Sequence, residues 1–406
     1  MTSINRAASS LQQICNELDS QTKFAFLVHE PTMLAHYRDV WEAMGSTEFT
    51  ILLTKHFAID ESGKEKRGAA DFLKYVRAQN FKVLDVEHII DCGIKFEYVV
   101  SNHMISGSTD EIVSETDDET FKKQLNRGLV LMGKEPAWRF GPKRGTYLPL
   151  QVGKKQIRFM YGADISEGWS LKKWNSIYDL FLCHGANDER EINKRFSGET
   201  HVMGYPRYDR FFSENIDLSG IRNEFAISAA KKTVLWMPTL GGDYSSIPLF
   251  AEALSALSGK FNLIVRPHPI SFVQELPFID LLEKLNFTID RNAVRDMNEL
   301  FGIADVVLAD NGGTPFSAIF LGKNVIFLDV PEPTTDSYFA DSSVLELKKH
   351  LPTISAQEIH RLDSMLDSDE FFIENTKTIE NMFSLYFNSP RGGGATRVAK
   401  ILNSLP

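Results

Sequence analysis

Short runs of β-branched and other apolar residues alternate with longer segments of helical periodicity along almost the whole chain. This alternation is typical of βα units, in which a helix connects each strand to the next parallel strand. We therefore expect an α/β fold with parallel sheets whose strands are buried on both faces. The expected strands, in chain order, are 24–28, 49–53, 82–84, 98–101, 128–132, 157–161, 180–183, 233–237, 261–266, 287–290, 306–309 and 325–328.

The length of the chain indicates more than one domain. Its 406 residues exceed what one hydrophobic core usually supports, since domains typically contain roughly 50–200 residues. A polar break follows the strands of the first half, and we place the boundary there. The expected units are a first Rossmann-like domain, 1–214, a second one, 215–390, and a C-terminal helix, 391–406, that could pack back on the first domain.

Charge and cysteine content exclude several classes of protein. Lys and Arg number 44 against 54 Asp and Glu, so the net charge of −10 argues against a broad nucleic-acid surface. Cys15, Cys92 and Cys183 are odd in number and far apart, so they encode neither a disulfide framework nor a zinc site. Residues 1–21 lack the apolar core of a signal peptide, and no window approaches about 18 consecutive apolar residues. We expect a cytoplasmic protein.

The sharpest local motif is Arg266-Pro267-His268-Pro269, which directly follows an apolar strand. The prolines fix the backbone around His268 at the carboxyl end of the strand, where open α/β sheets bind their ligands. The imidazole can donate a hydrogen bond to a phosphate or take a proton, and Arg266 can add a charge-assisted contact. A histidine that only closes a turn is the alternative, but the prolines, the arginine and the strand end favour a ligand contact.

A glycine turn follows the expected strand 306–309 and precedes an apolar helix. The turn consists of Asp310, Asn311, Gly312, Gly313 and Thr314. Free backbone N–H groups and the threonine hydroxyl can hold an anion at such a helix start. The turn is neither a Walker A loop nor a dinucleotide fingerprint, and an ordinary βα turn is the alternative.

A third strand-end loop of the second half begins with Pro238-Thr239, and its threonine hydroxyl can donate to a phosphate. A merely polar loop is the alternative. Because the three loops should lie along one edge of one sheet, together they indicate a nucleotide-phosphate site.

Strand-end loops of the first half supply further candidates. They are Tyr161, Gly162, Asp164 and Glu167 after one strand, and His29 and His103 after two others. Either carboxylate could act as a general base if the two domains face each other across a cleft. The two histidines are more typical of loop or acceptor contacts than of a catalytic group. No His/Cys cluster or paired-Asp motif appears, so we expect no obligatory metal.

A basic stretch lies just before that loop. It comprises Lys143, Arg144, Lys154, Lys155 and Arg158. It could face an anionic acceptor or a lipid surface, and a plain solvent-exposed face is the alternative.

Taken together, these motifs resemble the CDP-glycerol glycerophosphotransferase family of teichoic-acid and capsule-polymer transferases. Residues 204–209 are similar to its Gly-x-Pro-Arg-x-Asp, and Pro238-Thr239 and 266–269 to its Pro-Thr and Arg-Pro-His-Pro. The resemblance implies a GT-B arrangement of two facing Rossmann-like domains, the first on the acceptor side and the second binding the nucleotide donor. It also implies that His268 contacts the donor phosphates and that the glycine turn completes the pyrophosphate site.

The chain departs from the family pattern at two places. The family's His-Gly-Thr-Pro loop, whose histidine is thought to act as base, falls on residues 161–164, where Tyr161 replaces the histidine. Asp164 or Glu167 is then the expected substitute. The family's paired serines are replaced by the glycine turn, whose backbone amides could take over. That turn is also similar to the Asp-Ser-Gly-Gly of UDP-GlcNAc 2-epimerases.

We expect a transferase that moves a glycerol-phosphate, ribitol-phosphate or glycosyl group from a CDP- or CMP-linked donor to a cell-surface polysaccharide or teichoic-acid-like acceptor. His268 and one of the two carboxylates are the expected catalytic groups, whereas Arg266, Thr239 and the glycine turn bind the donor phosphates. Peripheral contact with the inner face of the cytoplasmic membrane is compatible with this interpretation. Alternatives are a UDP-sugar-dependent GT-B glycosyltransferase, an enzyme resembling UDP-GlcNAc 2-epimerase, and a non-catalytic nucleotide-binding scaffold.

Overall fold

The computed structural model describes residues 22–55, 57–59, 65–103, 105, 147–166, 170–213, 216–241, 244–292, 294–330 and 341–406. The expected strand 128–132 and the candidate base Glu167 lie outside these residues. Within them, no helix combines the length and the apolar character needed to cross a membrane.

Seven strands of the described residues form a parallel sheet in the first half of the chain. They are β1 (Phe24–Val28), β2 (Phe49–Leu53), β3 (Lys82–Asp85), β4 (Phe96–Ser101), β5 (Gly153–Phe159), β6 (Leu180–Cys183) and β7 (Glu199–Val202). Their spatial order is β3-β2-β1-β4-β5-β6-β7. The order reverses between β1 and β4, which opens a crevice at the carboxyl ends of these two strands. His29 follows β1 and His103 follows β4, so both lie at this switch point.

The second half repeats the arrangement with six strands. They are β8 (Thr233–Met237), β9 (Asn262–Val265), β10 (Thr288–Ile289), β11 (Val306–Ala309), β12 (Asn324–Leu328) and β13 (Thr353–Ile354). Their order is β10-β9-β8-β11-β12-β13, again parallel, with the switch point between β8 and β11. The Pro238-Thr239 loop follows β8 and the glycine turn follows β11, so the sheet brings both to its own switch point.

Helices connect the strands and cover both sheets. They are α1 (Leu34–Met44), α2 (Ala69–Ala78), α3 (Val86–Asp91), α4 (Leu148–Val152), α5 (Ala186–Asn193), α6 (Asp209–Phe212), α7 (Ser219–Glu224), α8 (Ile247–Ser255), α9 (Ser271–Gln274), α10 (Leu276–Lys284), α11 (Met297–Ile303), α12 (Thr314–Phe320), α13 (Ser343–Lys348), α14 (Arg361–Asp367), α15 (Asp369–Tyr386) and α16 (Gly394–Ser404). Short 3₁₀ turns occur at Pro31–Met33, Lys173–Ile177, Pro206–Tyr208 and Ala356–Glu358.

Each sheet is buried on both faces, as the apolar strand runs predict. In β1 the side chains of Phe26 and Leu27 point to opposite faces and belong to different core clusters. Trp41 of α1 packs edge-on against Phe26, with ring centroids 5.8 Å apart. Complete burial of such a side chain contributes about 1.5–3 kcal/mol. The two sheets are therefore the rigid elements that position the loops at their carboxyl ends.

The C-terminal helix α16 packs against α1 of the first half. Its residues Val398 and Leu402 are fully buried in the core below the first sheet. Asp209 holds the start of this helix, since its carboxylate accepts hydrogen bonds from the backbone N–H groups of Gly394 (2.9 Å) and Ala395 (2.7 Å). The C-terminal helix, although it follows the second half in sequence, therefore packs on the first half and covers the first sheet.

The expected strands within the described residues coincide with observed ones, with ends that differ by up to four residues. The largest difference is at β5, which begins at Gly153 rather than at Ile157. The sequence analysis missed β7 and β13. Three of the four residues of β7 are polar and the strand has little burial, and β13 has two residues, so neither shows an apolar run.

Candidate functional site

The loops after β8 and β11 are joined by a buried carboxylate. Asp310 accepts hydrogen bonds from the backbone N–H groups of Thr239 (2.9 Å), Ser246 (2.7 Å) and Asn311 (2.7 Å). Its side chain is completely buried, and burial raises the pKa of Asp310 whereas these hydrogen bonds oppose the rise. Because these backbone N–H groups occupy the carboxylate, Asp310 acts on the site by holding the two loops together.

The glycine turn and Thr239 face the same space. Gly312 has a φ of +71°, a left-handed conformation that favours glycine, and a Cβ added there would lie 3.4 Å from the Thr239 hydroxyl oxygen. Apart from the two residues next to it in the chain, no described residue has an atom within 4 Å of the position that a Cβ on Gly313 would occupy, and helix α12 begins at Thr314. The sheet therefore brings together Thr239, Gly312, Gly313 and Thr314, four of the residues expected to bind donor phosphates.

A lysine that the sequence analysis missed lies beside this turn. Lys348, at the end of α13, donates a hydrogen bond from Nζ to Asn311 Oδ1 (2.9 Å), and Asn311 Nδ2 donates to the Tyr244 carbonyl (3.0 Å). Asn311 thus positions an ammonium group next to the glycines. Lys348 stands in a charged helix without a motif, so only the fold reveals its place.

His268 follows β9, and its side chain is exposed. Its Nδ1 accepts a hydrogen bond from the backbone N–H of Ile270 (3.3 Å), so in the neutral ring Nε2 carries the proton. Although the residue is exposed, the atoms packed around its ring lower the pKa of His268 by partial desolvation; Glu275 opposes this effect and the Arg266 charge adds to it. The ring is therefore neutral at pH 7 and presents an N–H donor, which is what contact with a phosphate oxygen requires.

Arg266 supports the histidine loop from below. Its Nη1 donates to Asp290 Oδ2 (2.9 Å) and to the Asn292 carbonyl (2.5 Å), and the side chain is buried. Asp290 also accepts from Arg295 Nη2 (3.0 Å). The expected direct contact of Arg266 with phosphate stays a prediction, but the geometry commits one of its nitrogens to the fold.

A second missed residue, Glu275, links two of the loops. Its Oε1 accepts from the backbone N–H of Gly241 (2.9 Å), and its Oε2 accepts from the Ser271 hydroxyl (2.6 Å). Gly241 belongs to the loop after β8 and Ser271 to the helix after the His268 loop. The loops at this edge of the second sheet are therefore held in place by buried carboxylates before any ligand binds.

The histidines of the first sheet lie together at its switch point. The rings of His29 and His103 are 5.5 Å apart, and the Tyr161 ring is 4.9 Å from that of His103. Burial, Lys66 and Arg158 lower the pKa of His29 to about 3. Burial, followed by Arg158 and His29, also lowers the pKa of His103. Three of the four expected acceptor-side residues thus form one cluster, and Gly162 follows Tyr161 in the chain.

Asp164 connects the two halves of the molecule. Its Oδ1 accepts hydrogen bonds from the Ser342 hydroxyl (2.7 Å) and the Val344 backbone N–H (3.2 Å), at the start of α13. Burial raises the pKa of Asp164 to about 6, although these hydrogen bonds oppose the rise. A carboxylate of that pKa suits general-base work near neutral pH. Its role as base, and that of Glu167 outside the described residues, stay predictions.

A small pocket lies between the two halves of the molecule. Arg38 and Arg207 line it from the first half, and Arg295 and Asp296 from the second. Arg207 belongs to the stretch similar to Gly-x-Pro-Arg-x-Asp, and its Nη1 lies 3.4 Å from His36 Nε2. Two of these guanidinium groups are engaged in ion pairs, Arg38 with Asp296 and Arg295 with Glu224 and Asp290.

Solved structures with the same architecture are known. The wall teichoic acid polymerase TagF, in a variant soaked with CDPG, is 15% identical, covers 98% of this chain and 97% of its own, and has a TM-score of 0.59. A UDP-GlcNAc 2-epimerase from Neisseria meningitidis bound to UDP-GlcNAc is 14% identical over 94% of this chain and 98% of its own, with a TM-score of 0.51. Anabaena HepE in complex with UDP is 11% identical over 95% and 100%, with a TM-score of 0.50. These likenesses confirm the expected GT-B-type α/β fold.

Sequence comparison is more specific about the family. No curated protein matches the chain. A family model described as CDP-glycerol:poly(glycerophosphate) glycerophosphotransferase matches residues 145–402, which is more than half of the chain. The match includes β5 and the loop after it, and all the strand-end loops of the second sheet. It confirms both the resemblance and the expected transferase class: the chain belongs to the CDP-glycerol:poly(glycerophosphate) glycerophosphotransferase family.

Proposed function

We propose that the protein transfers glycerol phosphate from a CDP-linked donor to a hydroxyl group of a poly(glycerophosphate)-like or related cell-surface polymer. In this reaction the acceptor oxygen bonds to the phosphorus that carries glycerol, and the bond from that phosphorus to CMP breaks. Ribitol phosphate or a sugar in place of glycerol phosphate would use the same donor site. The observation that carries the proposal is the convergence of His268, Thr239, the glycine turn and Lys348 at the edge of the second sheet.

These groups can stabilise the phosphate of CMP as CMP leaves. Negative charge grows on the CMP oxygen as its bond breaks, and fixed hydrogen-bond donors stabilise it without rearrangement. His268 Nε2–H and the Thr239 hydroxyl supply neutral donors, whereas Lys348 supplies a positive charge. Asp310 and Glu275 fix the loops and act as positioning residues.

The proton of the acceptor hydroxyl needs a base. We assign this role to Asp164 or Glu167, because Tyr161 occupies the position of the family's histidine. Support for Asp164 comes from its pKa of about 6 and its place between the two sheets. Turnover with an Asp164→Asn variant and with a Glu167→Gln variant decides between the two.

The proposal requires no obligatory metal ion, since a lysine, arginines and backbone amides can balance the phosphate charge. Turnover should be unchanged after treatment with EDTA, and restoration of lost activity by Mg²⁺ would contradict this.

Peripheral contact with the inner face of the cytoplasmic membrane belongs to the same proposal. Co-flotation of the protein with liposomes tests that contact.

The test of the proposal is CDP-glycerol turnover by the wild-type protein and by His268→Ala. The variant should lose at least about a hundredfold in turnover, the usual cost of one charge-stabilising donor, and should bind CDP more weakly. His360→Ala, at an exposed histidine of the second half, is the matched control and should retain full activity.

Wild-type-like turnover by His268→Ala would overturn the assignment. Turnover of UDP-GlcNAc without an acceptor would instead support an epimerase or hydrolase, and transfer from a UDP-sugar would support a glycosyltransferase. Binding of nucleotide with no turnover of any donor would support the scaffold alternative.

A further inference from the structure

Arg158 of β5 is a buried cation with incomplete hydrogen bonding. Its side chain is 1% exposed, and its Nε and Nη1 have no hydrogen-bond partner among the described residues. The guanidinium lies over the Trp174 ring, 4.4 Å from the centroid, and the Tyr178 hydroxyl is a further partner. Within the same residues no carboxylate forms an ion pair with it. Arg158 is therefore unlike the solvent-exposed Lys154 and Lys155 of the same basic stretch.

A buried charge without a counter-ion is costly, and native proteins rarely keep one without a reason. Burial lowers the pKa of Arg158, although nearby tyrosines oppose the effect. A guanidinium nevertheless remains charged at neutral pH. Its planar N–H groups form stronger hydrogen bonds with the charged oxygens of a phosphate than with the oxygens of a neutral group.

The surroundings of Arg158 belong to the acceptor side. Arg158 is the register partner of Ser101 on β4, so the two side chains share a face of the sheet. His103 and His29 continue that face beyond the ends of β4 and β1, because side chains two residues apart in a strand point the same way. His29 is 6% exposed, and its Nδ1 also has no hydrogen-bond partner among the described residues.

We propose that these residues form an anion site, which we call the Arg158 chamber, and that it binds a phosphate group of the acceptor polymer. The chamber consists of Arg158, His29, His103, Tyr161 and Trp174. This inference rests on the proposed function for the identity of the polymer, but the site itself follows from the first sheet. Because Arg158 and His29 are buried, neighbouring atoms must move aside to admit the phosphate. Arg158 would then donate to the phosphate oxygens, and His29 could donate from Nδ1. The phosphate next to the chain end would thereby fix the terminal hydroxyl near the donor.

The first experiment measures thermal stability and needs no turnover. Arg158→Met keeps the volume of the side chain and removes the charge, so the ligand-free variant should melt about 2 °C or more above wild type. Inorganic phosphate and sn-glycerol 3-phosphate should raise the melting temperature of wild type and of His268→Ala. They should raise that of Arg158→Met less than that of wild type at the same concentrations, because only the second sheet then binds the anion. His268→Ala is the control for phosphate that binds at the second sheet.

An equal phosphate effect in wild type and Arg158→Met overturns the proposal. So does an effect that His268→Ala abolishes and Arg158→Met retains, since the anion then binds only at the second sheet. If Arg158→Met does not fold, Arg158→Lys keeps the positive charge without the planar donors, and should weaken phosphate binding by about tenfold. Unchanged binding by that variant would equally contradict the chamber.

The second experiment separates acceptor from donor. In steady-state transfer from CDP-glycerol, Arg158→Lys should raise the KM for the polymer acceptor by about tenfold or more and leave the KM for the donor unchanged. A raised donor KM with an unchanged acceptor KM would assign the phosphate to the donor and overturn the proposal. If CDP-glycerol is not a substrate at all, the proposed function fails while the melting experiment still decides the anion site.

Discussion

The two sheets have the same order of strands around their switch points, but the buried polar groups at their carboxyl ends differ in hydrogen bonding. At the second sheet Asp310, Glu275 and Asp290 each accept several hydrogen bonds, and the cation Arg266 lies against Asp290. At the first sheet Arg158 and His29 are as deeply buried, yet each has nitrogen atoms without a partner among the described residues. Internal hydrogen bonds fix the shape of the second edge before a ligand binds. At the first edge, a ligand could supply hydrogen-bond partners for the buried nitrogen atoms.

The largest effect that would test this contrast is expected at Arg295, the buried cation paired with Asp290 and Glu224. Arg295→Met leaves a buried carboxylate with fewer partners and should lower the free energy of unfolding by about 3–5 kcal/mol. Arg158→Met should have the opposite sign. Urea unfolding at pH 7 measures both, with the exposed Arg361→Met as control. If both buried variants lose the same stability, the contrast between the edges is wrong.

A somewhat smaller loss is expected when Asp310 is changed to Asn. The amide has one acceptor oxygen instead of two, and its NH₂ would face backbone N–H groups that need an acceptor. Loss of hydrogen bonds to a buried charge costs about 2–3 kcal/mol. The same urea experiment measures it, and the exposed Asp280→Asn provides the control. A variant as stable as wild type would show that the second edge is not held by this carboxylate.

Much of the fold could be predicted from the sequence, because buried parallel strands appear as apolar runs. The strand-end motifs could be predicted for the same reason, since parallel strands deliver their loops to one edge. Direct binding by Arg266 and Asp310 was expected from residue type, which does not reveal that Asp310 accepts three backbone hydrogen bonds and that Nη1 of Arg266 donates within the fold. The contact of Arg266 with phosphate stays a prediction. Lys348 could not be found, because its helix approaches the glycine turn from a distant part of the chain. Glu275 follows the His268 motif closely, but no motif in the sequence indicates its contact with Gly241.

The burial of Arg158 could not be predicted from the sequence for a different reason. Its basic neighbours in the sequence, Lys154 and Lys155, point to solvent, and a run of positive charges is usually a solvated surface. Burial changes along β5 instead: Lys154 and Lys155 are exposed near its start, whereas the residues from Gln156 to Phe159 are all buried. Lys154 and Arg158 are four residues apart and point to the same face of the sheet, so strand alternation alone does not predict which of the two is buried.

Asp164 lies between the two edges, and its titration tests whether they are coupled. The folded-state pKa of about 6 lies above that of an unfolded aspartate, so the native state binds more protons between about pH 4 and 6. Stability due to this group is therefore present at low pH and lost as pH rises through 6. Asp164→Asn keeps an oxygen for Ser342 and Val344 and should stabilise the protein at pH 7 by on the order of 2 kcal/mol.

The gain from Asp164→Asn should vanish below about pH 4, where the wild-type carboxyl is protonated in both states. Urea unfolding at pH 7 and at pH 4 measures this difference. If Asp164 is also the base, turnover falls by about 10²–10⁴-fold while stability rises. Lower stability at pH 7 would show that the charge of Asp164 supports the contact between the halves.

The smallest expected effect concerns His29 and has the opposite pH dependence. Its folded-state pKa of about 3 lies below that of an unfolded histidine, so between about pH 6.5 and 3 the unfolded state binds more protons. Stability is then lost as pH falls. From pH 7.5 to 5.5, wild type should lose about 1 kcal/mol more than His29→Gln, whereas the exposed His360→Gln should follow wild type. Urea unfolding at the two pH values compares them.

Phosphate should reduce this loss of stability, because an anion beside His29 favours its charged form, and that reduction should disappear in Arg158→Met. Equal acid sensitivity in wild type and His29→Gln would mean that the ring is solvated, and the first edge would then resemble the second more than its buried groups indicate.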